Sequence, residues 1–337
     1  MHQTALRPWI LLLLAGLTAS AVTEAQADEP AAPKTGRAAK RAPKGQTPEP
    51  RLPADLKIVD DIVYKQVGDE KLKLMLFLPQ EDAAKKFANA PLVIYIHGGG
   101  WAGGDRYKVL RPDVIGVVRP LVERGFVCAS IEYRLADGDP TTAFDAAADC
   151  KDAVRYLFQN SAKYGVDPER IGTLGSSAGG HLTLVTALGR DEDYPTSLPG
   201  PTAKIRCVAA FYPLVSFVDT SVMQGSNFER PQRLLPLLGG SLEEKLEVAK
   251  KLSPIDLIRP DSPAILVAHG DADKVLPSVN AEKLRDAAAA KGVACECIIS
   301  RGAGHGFGGD SIDPTVAEID RRTVEFFAKH LEVAGGK

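Results

Sequence analysis

The sequence lacks the features that mark several whole classes of function. It has five cysteines, Cys128, Cys150, Cys207, Cys295 and Cys297, and none stands in a zinc-type spacing. Five is odd, so at least one is unpaired within the chain. Cys128 and Cys207 lie in apolar, strand-like runs and read as small buried hydrophobes. Cys295 and Cys297, two apart on one predicted strand, are read as pointing to opposite faces and so are not expected to bridge each other. Charge of one sign is also missing: 41 basic residues face 43 acidic ones, for a formal net charge of −2. That balance offers no footprint for a nucleic acid. No G-K-[ST] follows a glycine run, and G-x-G-x-x-G is absent, so phosphate-loop and dinucleotide readings fail. There is no internal repeat. Past the amino terminus no apolar run is long enough to span a membrane.

The amino terminus has its own composition. His2 and Arg7 form a short polar segment, residues 9–22 are apolar, and Ala25-Gln26-Ala27 offers an A-x-A cleavage site before Asp28. This is the pattern of a secretory signal peptide over residues 1–27. The apolar part is shorter than the roughly 18–20 residues of a spanning helix. Export with cleavage, and no stable membrane insertion, is therefore expected. Residues 28–53 hold six prolines, six basic residues and one aliphatic residue larger than alanine. They cannot bury a core and are expected to be a disordered spacer.

From residue 54 to 337 the chain suits one large α/β domain. "LKIVDDIVYKQ" and "KLKLMLFLP" predict a hairpin. "PLVIYIHGGG", "GFVCASIEYR", "RIGTLGSS", "AKIRCVAAFYP", "SPAILVAHGDAD" and "VACECIIS" predict six further strands. Helical spacing fills most of the gaps, at 108–124, through "AFDAAADCKDAVRYLFQNSAKYG", at Ala178–Leu188, at 278–291 and at 314–332. This order implies an eight-stranded, mostly parallel sheet with helices on both faces and an antiparallel hairpin at one edge. Residues 213–254 break the alternation and read as a small insertion, part of it a flap. Active groups in such sheets collect at the carboxyl ends of the strands.

One stretch, "IGTLGSSAGGHL" at 171–182, raises a choice between two adjacent serines. A nucleophile on a sharp strand-to-helix turn needs small residues two positions to either side. Ser177 has Gly175 and Gly179. Ser176 has Leu174 and Ala178. The register selects Ser177. A serine hydroxyl needs a histidine to take its proton and a carboxylate to hold that histidine. Six histidines allow elimination. His2 belongs to the leader, His97 opens a glycine run, and His181 reads as a packed or capping residue on the serine's own helix. His269 ends a strand and His330 lies near the terminus. His305, in "RGAGHGFGG" after the last strand, remains. The acid comes from "HGDADKVLP", where Asp271 and Asp273 are both available. Asp273 lies further toward the His305 side and is preferred, with Asp271 expected to cap the following turn. Backbone N–H groups of Gly99 and Gly100 in "HGGGW", with that of Ala178, are candidate donors to a developing oxyanion. Trp101 and Phe307 are candidates to line a substrate pocket, and Asp105 and Arg106 are expected to form a local salt bridge.

"HGGGW" with a following "GD", then "IEYRLA", "GSSAGGHL", "HGDAD" and "GHGF", in this order over about residues 57–333, resemble the α/β-hydrolase serine esterases. The similarity is to the hormone-sensitive-lipase-like and acetyl-xylan/feruloyl carboxylesterase branch. The resemblance implies the α/β-hydrolase fold, a Ser177, Asp273 and His305 triad, and an oxyanion site at Gly99, Gly100 and Ala178. It adds weight to Asp273 over Asp271 and implies hydrolysis of a small-molecule or polysaccharide ester with no metal and no cofactor. The sequence departs from the family where "YRLAPE" reads "YRLADG" and where a helical cap would precede the first strands. Both departures favour an open cleft for short or aromatic acyl groups. A peptidase or amidase would use the same triad. A non-catalytic binding protein would need a broken one. The sequence carries no sign of oligomeric state.

Overall fold

Eight segments of five to eleven residues become the strands of one sheet in the computed structural model, which describes residues 50–332 except 138, 139 and 227. The expected signal peptide and spacer residues 28–49 lie outside the described residues. The strands are β1 (Lys57–Val67), β2 (Glu70–Leu78), β3 (Ala90–Ile96), β4 (Val127–Ile131), β5 (Val166–Ser176), β6 (Ile205–Phe211), β7 (Ala264–Gly270) and β8 (Cys295–Ser300). Their spatial order is β1-β2-β4-β3-β5-β6-β7-β8. β1–β2 and β2–β4 are antiparallel, and every other pairing is parallel. The hairpin therefore forms one edge and β8 the other.

The sequence of β3 explains its central place. "APLVIYI" has no polar residue to put in water, and all seven positions are buried. Its side chains alternate as the pleat requires. Leu92, Ile94 and Ile96 enter the apolar cluster on one face, and Val93 and Tyr95 the cluster on the other. The first cluster is closed by helices Ala143–Gln159, Ala178–Leu188 and Val279–Ala290. The second is closed by Pro112–Glu123 and Val316–Leu331. Thr142 starts the long helix with a reciprocal capping box to Asp145. Its continuation to residue 164 ends at Gly165, whose φ of +64° is left-handed.

Three details differ from the sequence expectations. Leu52, in the expected spacer, already packs against the second cluster. Asp105 and Arg106 do not pair. Asp105 accepts from the Tyr107 N–H (3.0 Å) and caps the short helix Arg106–Leu110. Arg106 instead reaches Asp60 (2.6 Å) and Asp61 (2.6 Å) of β1 and Glu132 (2.5 Å) after β4, because its own neighbour points to solvent while these three carboxylates converge on a buried guanidinium. All five cysteines are free thiols, and Cys295 and Cys297 pack on the same apolar cluster, as residues two apart on a strand must. Burial pushes the Cys128, Cys150 and Cys207 thiols well up. Among the described residues no helix is long and apolar enough to cross a membrane.

Candidate active site

The carboxyl ends of β3, β5, β6, β7 and β8 carry His97–Trp101, Ser177, Tyr212, Asp271–Asp273 and the loop with His305. Ser177 sits at the join of β5 and the helix Ala178–Leu188 with φ 56° and ψ −122°, a backbone that L-residues rarely adopt. Its neighbours show why glycine flanks it. A Cβ on Gly175 would lie 2.1 Å from the Gly179 carbonyl oxygen, and one on Gly179 would lie 2.0 Å from the Ile96 carbonyl oxygen. Any side chain at either position would push the turn off the sheet. Ser176 points the other way, is buried, and shares a hydrogen bond with the Tyr95 hydroxyl at 2.9 Å.

Ser177 Oγ lies 2.9 Å from His305 Nε2, and His305 Nδ1 lies 2.7 Å from Asp273 Oδ2. A carboxylate can only accept, so Nδ1 carries the proton and Nε2 is left to accept from the serine hydroxyl. Asp273 Oδ1 accepts from the N–H groups of Val275 (2.8 Å) and Leu276 (3.0 Å). His269 Nε2 lies 3.3 Å from Oδ2 while donating to the Leu276 carbonyl at 2.8 Å. Burial alone would raise the Asp273 carboxyl. The hydrogen bonds from His269, His305 and the Leu276 N–H outweigh it and hold the group well below the usual carboxylate range. Asp271 is exposed and does not reach the imidazole. Its Oδ1 accepts from the Gly302 N–H at 2.7 Å, so it ties down the loop that presents His305 rather than the turn that follows it.

The other histidines have structural roles. His97 is buried, stacks on Tyr133 (centroids 4.3 Å apart), and is pushed down to about 4 by burial. His181 is buried too, and burial lowers it to about 4. The Trp101 indole N–H donates to its Nδ1 at 3.1 Å. Indole can only donate, so His181 is protonated at Nε2, which donates to the Leu252 carbonyl at 2.7 Å.

Gly99 and Gly100 have φ of +141° and +62°. The Gly99 carbonyl accepts from Ala102 and Gly103, which closes the loop on itself. Among the described residues the N–H groups of Gly99, Gly100 and Ala178 have no acceptor. A cavity of about 350 Å³ opens over Ser177, and its lining includes Gly98–Trp101, Tyr212, Phe228, Leu276 and His305. Trp101 is among them. Phe307 is not. It turns into the core against Phe211 and Tyr212, at 5.5 and 5.0 Å, because the left-handed backbone at φ 57° carries its ring away from the cleft.

Sequence reasoning missed Tyr212, Phe228, Lys108 and Arg111, all of which line the cavity. Tyr212 follows β6 directly, and that strand-end position was the one available signal. Its ring stands 4.6 Å from His305 and its hydroxyl donates to Asp113. Phe228 comes from the insertion at 213–254, which contributes to the cavity through it.

A profile of the BD-FAE family matches residues 74–287. The chain belongs to the BD-FAE family. Among curated proteins this BD-FAE chain is similar to Esterase LipC of Mycobacterium tuberculosis, 30% identical over 71% of this chain and 58% of the relative. It is also similar to the probable isoprenylcysteine alpha-carbonyl methylesterase ICMEL1 of Oryza sativa, 28% identical over 69% and 54%. The chain thus spans about half the length of the curated relatives it matches. Among solved structures, the esterase Est2 of Thermogutta terrifontis is similar in its propionate-bound form, with TM-score 0.65, 26% identity, and 84% of this chain and 96% of that one covered. Its butyrate-bound form gives TM-score 0.66 at 26% identity, covering 83% and 96%. The fold is that of an α/β-hydrolase.

Proposed function

We propose that this chain is a serine carboxylesterase acting through an acyl-enzyme. Ser177 Oγ attacks the ester carbonyl while His305 Nε2 takes its proton. His305 then passes that proton to the leaving alcohol, and a water activated by the same nitrogen releases the acid. Asp273 holds the Nδ1–H tautomer and stabilises the imidazolium. Gly99, Gly100 and Ala178 donate to the tetrahedral oxyanion, each removed donor costing about 10²–10³-fold in rate. No metal or cofactor enters this scheme.

The observation that carries the reading is the hydrogen-bonded line Ser177–His305–Asp273 at 2.9 and 2.7 Å beside three unspent N–H groups. The substrate is a short-chain or carbohydrate-linked ester, acetyl or feruloyl. The cavity supports this: about 350 Å³ lies at the small end of the range of about 300–1,000 Å³ for ligand pockets. The similar esterase is known with propionate or butyrate bound, both short-chain carboxylates. We also propose export, with a leader over 1–27 and a spacer that ends before Leu52, ahead of the catalytic domain. Amino-terminal sequencing of protein recovered from outside expressing cells tests that part, and a mature chain still starting at Met1 would refute it.

The deciding assay is hydrolysis of p-nitrophenyl acetate by wild type and Ser177→Ala. Loss on the order of 10⁴-fold or more is expected in the variant. Equal rates in the two proteins, or no activity in either, would sink the assignment. A panel of acetylated xylan, methyl ferulate and p-nitrophenyl esters of rising chain length then ranks substrates. A maximum at long acyl chains would contradict the short-acyl reading.

A further inference from the structure

The two walls of the cavity differ in chemistry, and the hydrolytic scheme above does not require the difference. The cavity lies across the strand ends, so its sides come from opposite faces of the sheet. Trp101, Phe228, Val275 and Leu276 belong to, or pack on, the apolar cluster of the first face. Tyr212 belongs to the cluster of the second face, as do Val109, between Lys108 and Arg111, and Val114, three residues beyond Arg111. One wall is therefore apolar and the other presents two cations. Among the described residues no carboxylate lines the cavity.

Neither cation is fully spent inside the protein. Lys108 has no carboxylate partner among the described residues. Its Cε lies 3.0 Å from where a side chain on Gly104 would begin, so it runs along the glycine loop that starts at His97. Arg111 gives its Nε to Asp113 Oδ1 at 3.0 Å. One terminal nitrogen lies 3.2 Å from where a side chain on Gly306 would begin, beside His305. Neither terminal nitrogen has an acceptor among the described residues, and the side chain is half exposed. Lys108 is uncompensated and Arg111 keeps both terminal nitrogens free beyond its pair with Asp113, so an anion between them gains charge-assisted hydrogen bonds from both.

The position of Arg111 tells which half of an ester that anion would belong to. His305 hands its proton to the leaving alcohol, and Arg111 stands against the residue next to His305. The apolar wall is then left for the acyl group. We propose that Lys108 and Arg111 form an anion-selecting wall, favouring esters whose alcohol portion carries a carboxylate or another anionic group. This rests on the esterase reading above.

The test compares kcat/KM for 3-acetoxybenzoate and its neutral counterpart 3-acetoxybenzamide in wild type, Lys108→Gln, Arg111→Gln and the double variant. The acetyl group is common to both esters, and the ratio of the two values cancels any general loss of activity. The anionic-to-neutral ratio is expected to fall about tenfold in each single variant, further in the double, and mainly through KM. It is also expected to fall in wild type as salt is raised. Lys108, which holds no other side chain in place, provides the arm that does not disturb Asp113. A ratio unchanged in both single variants would overturn the wall while the esterase reading stands on the neutral ester. If wild type hydrolyses neither ester, the esterase reading fails and the proposal with it. If p-nitrophenyl hydrogen succinate, with its charge in the acyl part, loses rate in the variants and 3-acetoxybenzoate does not, the assignment to the alcohol side is wrong.

Discussion

Tyr212 stands edge-on to His305, with ring centroids 4.6 Å apart and planes inclined at 61°, while its hydroxyl donates to the buried carboxylate of Asp113. The ring is a wall for the imidazole and the hydroxyl is what fixes the ring. Tyr212→Phe keeps the wall and loses the tether. Its kcat/KM on p-nitrophenyl acetate is expected to drop by less than about tenfold. Tyr212→Ala lets the imidazole swing, and misplacement by about an ångström costs on the order of 10²-fold. Equal effects of the two substitutions would show that the ring does not position the base.

Asp273 gives the fold a dependence on acid. Its carboxyl is held well below the value of about 3.9 expected in the unfolded chain. A depressed carboxyl contributes stability that is complete above the unfolded value and is lost as pH falls toward the folded one. Wild type is therefore expected to exceed Asp273→Asn in urea resistance by a constant margin from pH 7 to pH 5. Below about pH 4 the margin shrinks. The same variant presents the wrong tautomer to the serine and is expected to lose about 10⁴-fold in kcat.

Asp320 acts in the opposite sense. Burial, with Asp113 nearby, pushes its carboxyl up to about 7, and its Oδ1 has no partner among the described residues. The folded state then holds a proton that the unfolded state gives up, so this residue's contribution to stability falls between about pH 4 and pH 7. Asp320→Asn removes the titrating group at nearly constant shape. It is expected to raise the urea midpoint at pH 8 and to gain little at pH 4. A gain of equal size at both pH values would contradict the account.

Lys65 is buried on β1 with its ammonium between Asp149 (2.7 Å) and Asp152 (2.6 Å), both on the long helix beneath. Removing one partner from a buried ion pair costs about 3–5 kcal/mol, since the charges left behind stay desolvated. Lys65→Met is expected to lose stability on that scale in denaturant titration, although Arg134 and Arg155 still hold the two acids.

The layered fold was legible because it follows from local pattern. "APLVIYI" can only be a strand covered on both sides, and G-x-S-x-G can only tolerate its serine in one register. The partner of Ser177 came from scarcity of histidine, which is also a property of the chain and not of its packing. What escaped were residues placed by distant neighbours. Arg106 finds its acids some 45 residues back on β1, so an adjacent Asp105 misled. Phe307 sits two residues from His305 yet faces the core, because a left-handed backbone reverses the direction of the side chain. Lys108 and Arg111 lie in the stretch expected to be helical, 108–124, and only the sheet brings them to the mouth of the cleft.

His305 hangs from β8, and β8 is the outermost strand, paired on one side only, to β7. The nucleophile, by contrast, is built into the middle of the sheet. A molecule whose final strand has not docked owns a finished elbow with nothing to draw its proton away. On the esterase reading proposed above, ester turnover works as a census of completed chains: it counts molecules closed to their last strand and is blind to those that stopped one short.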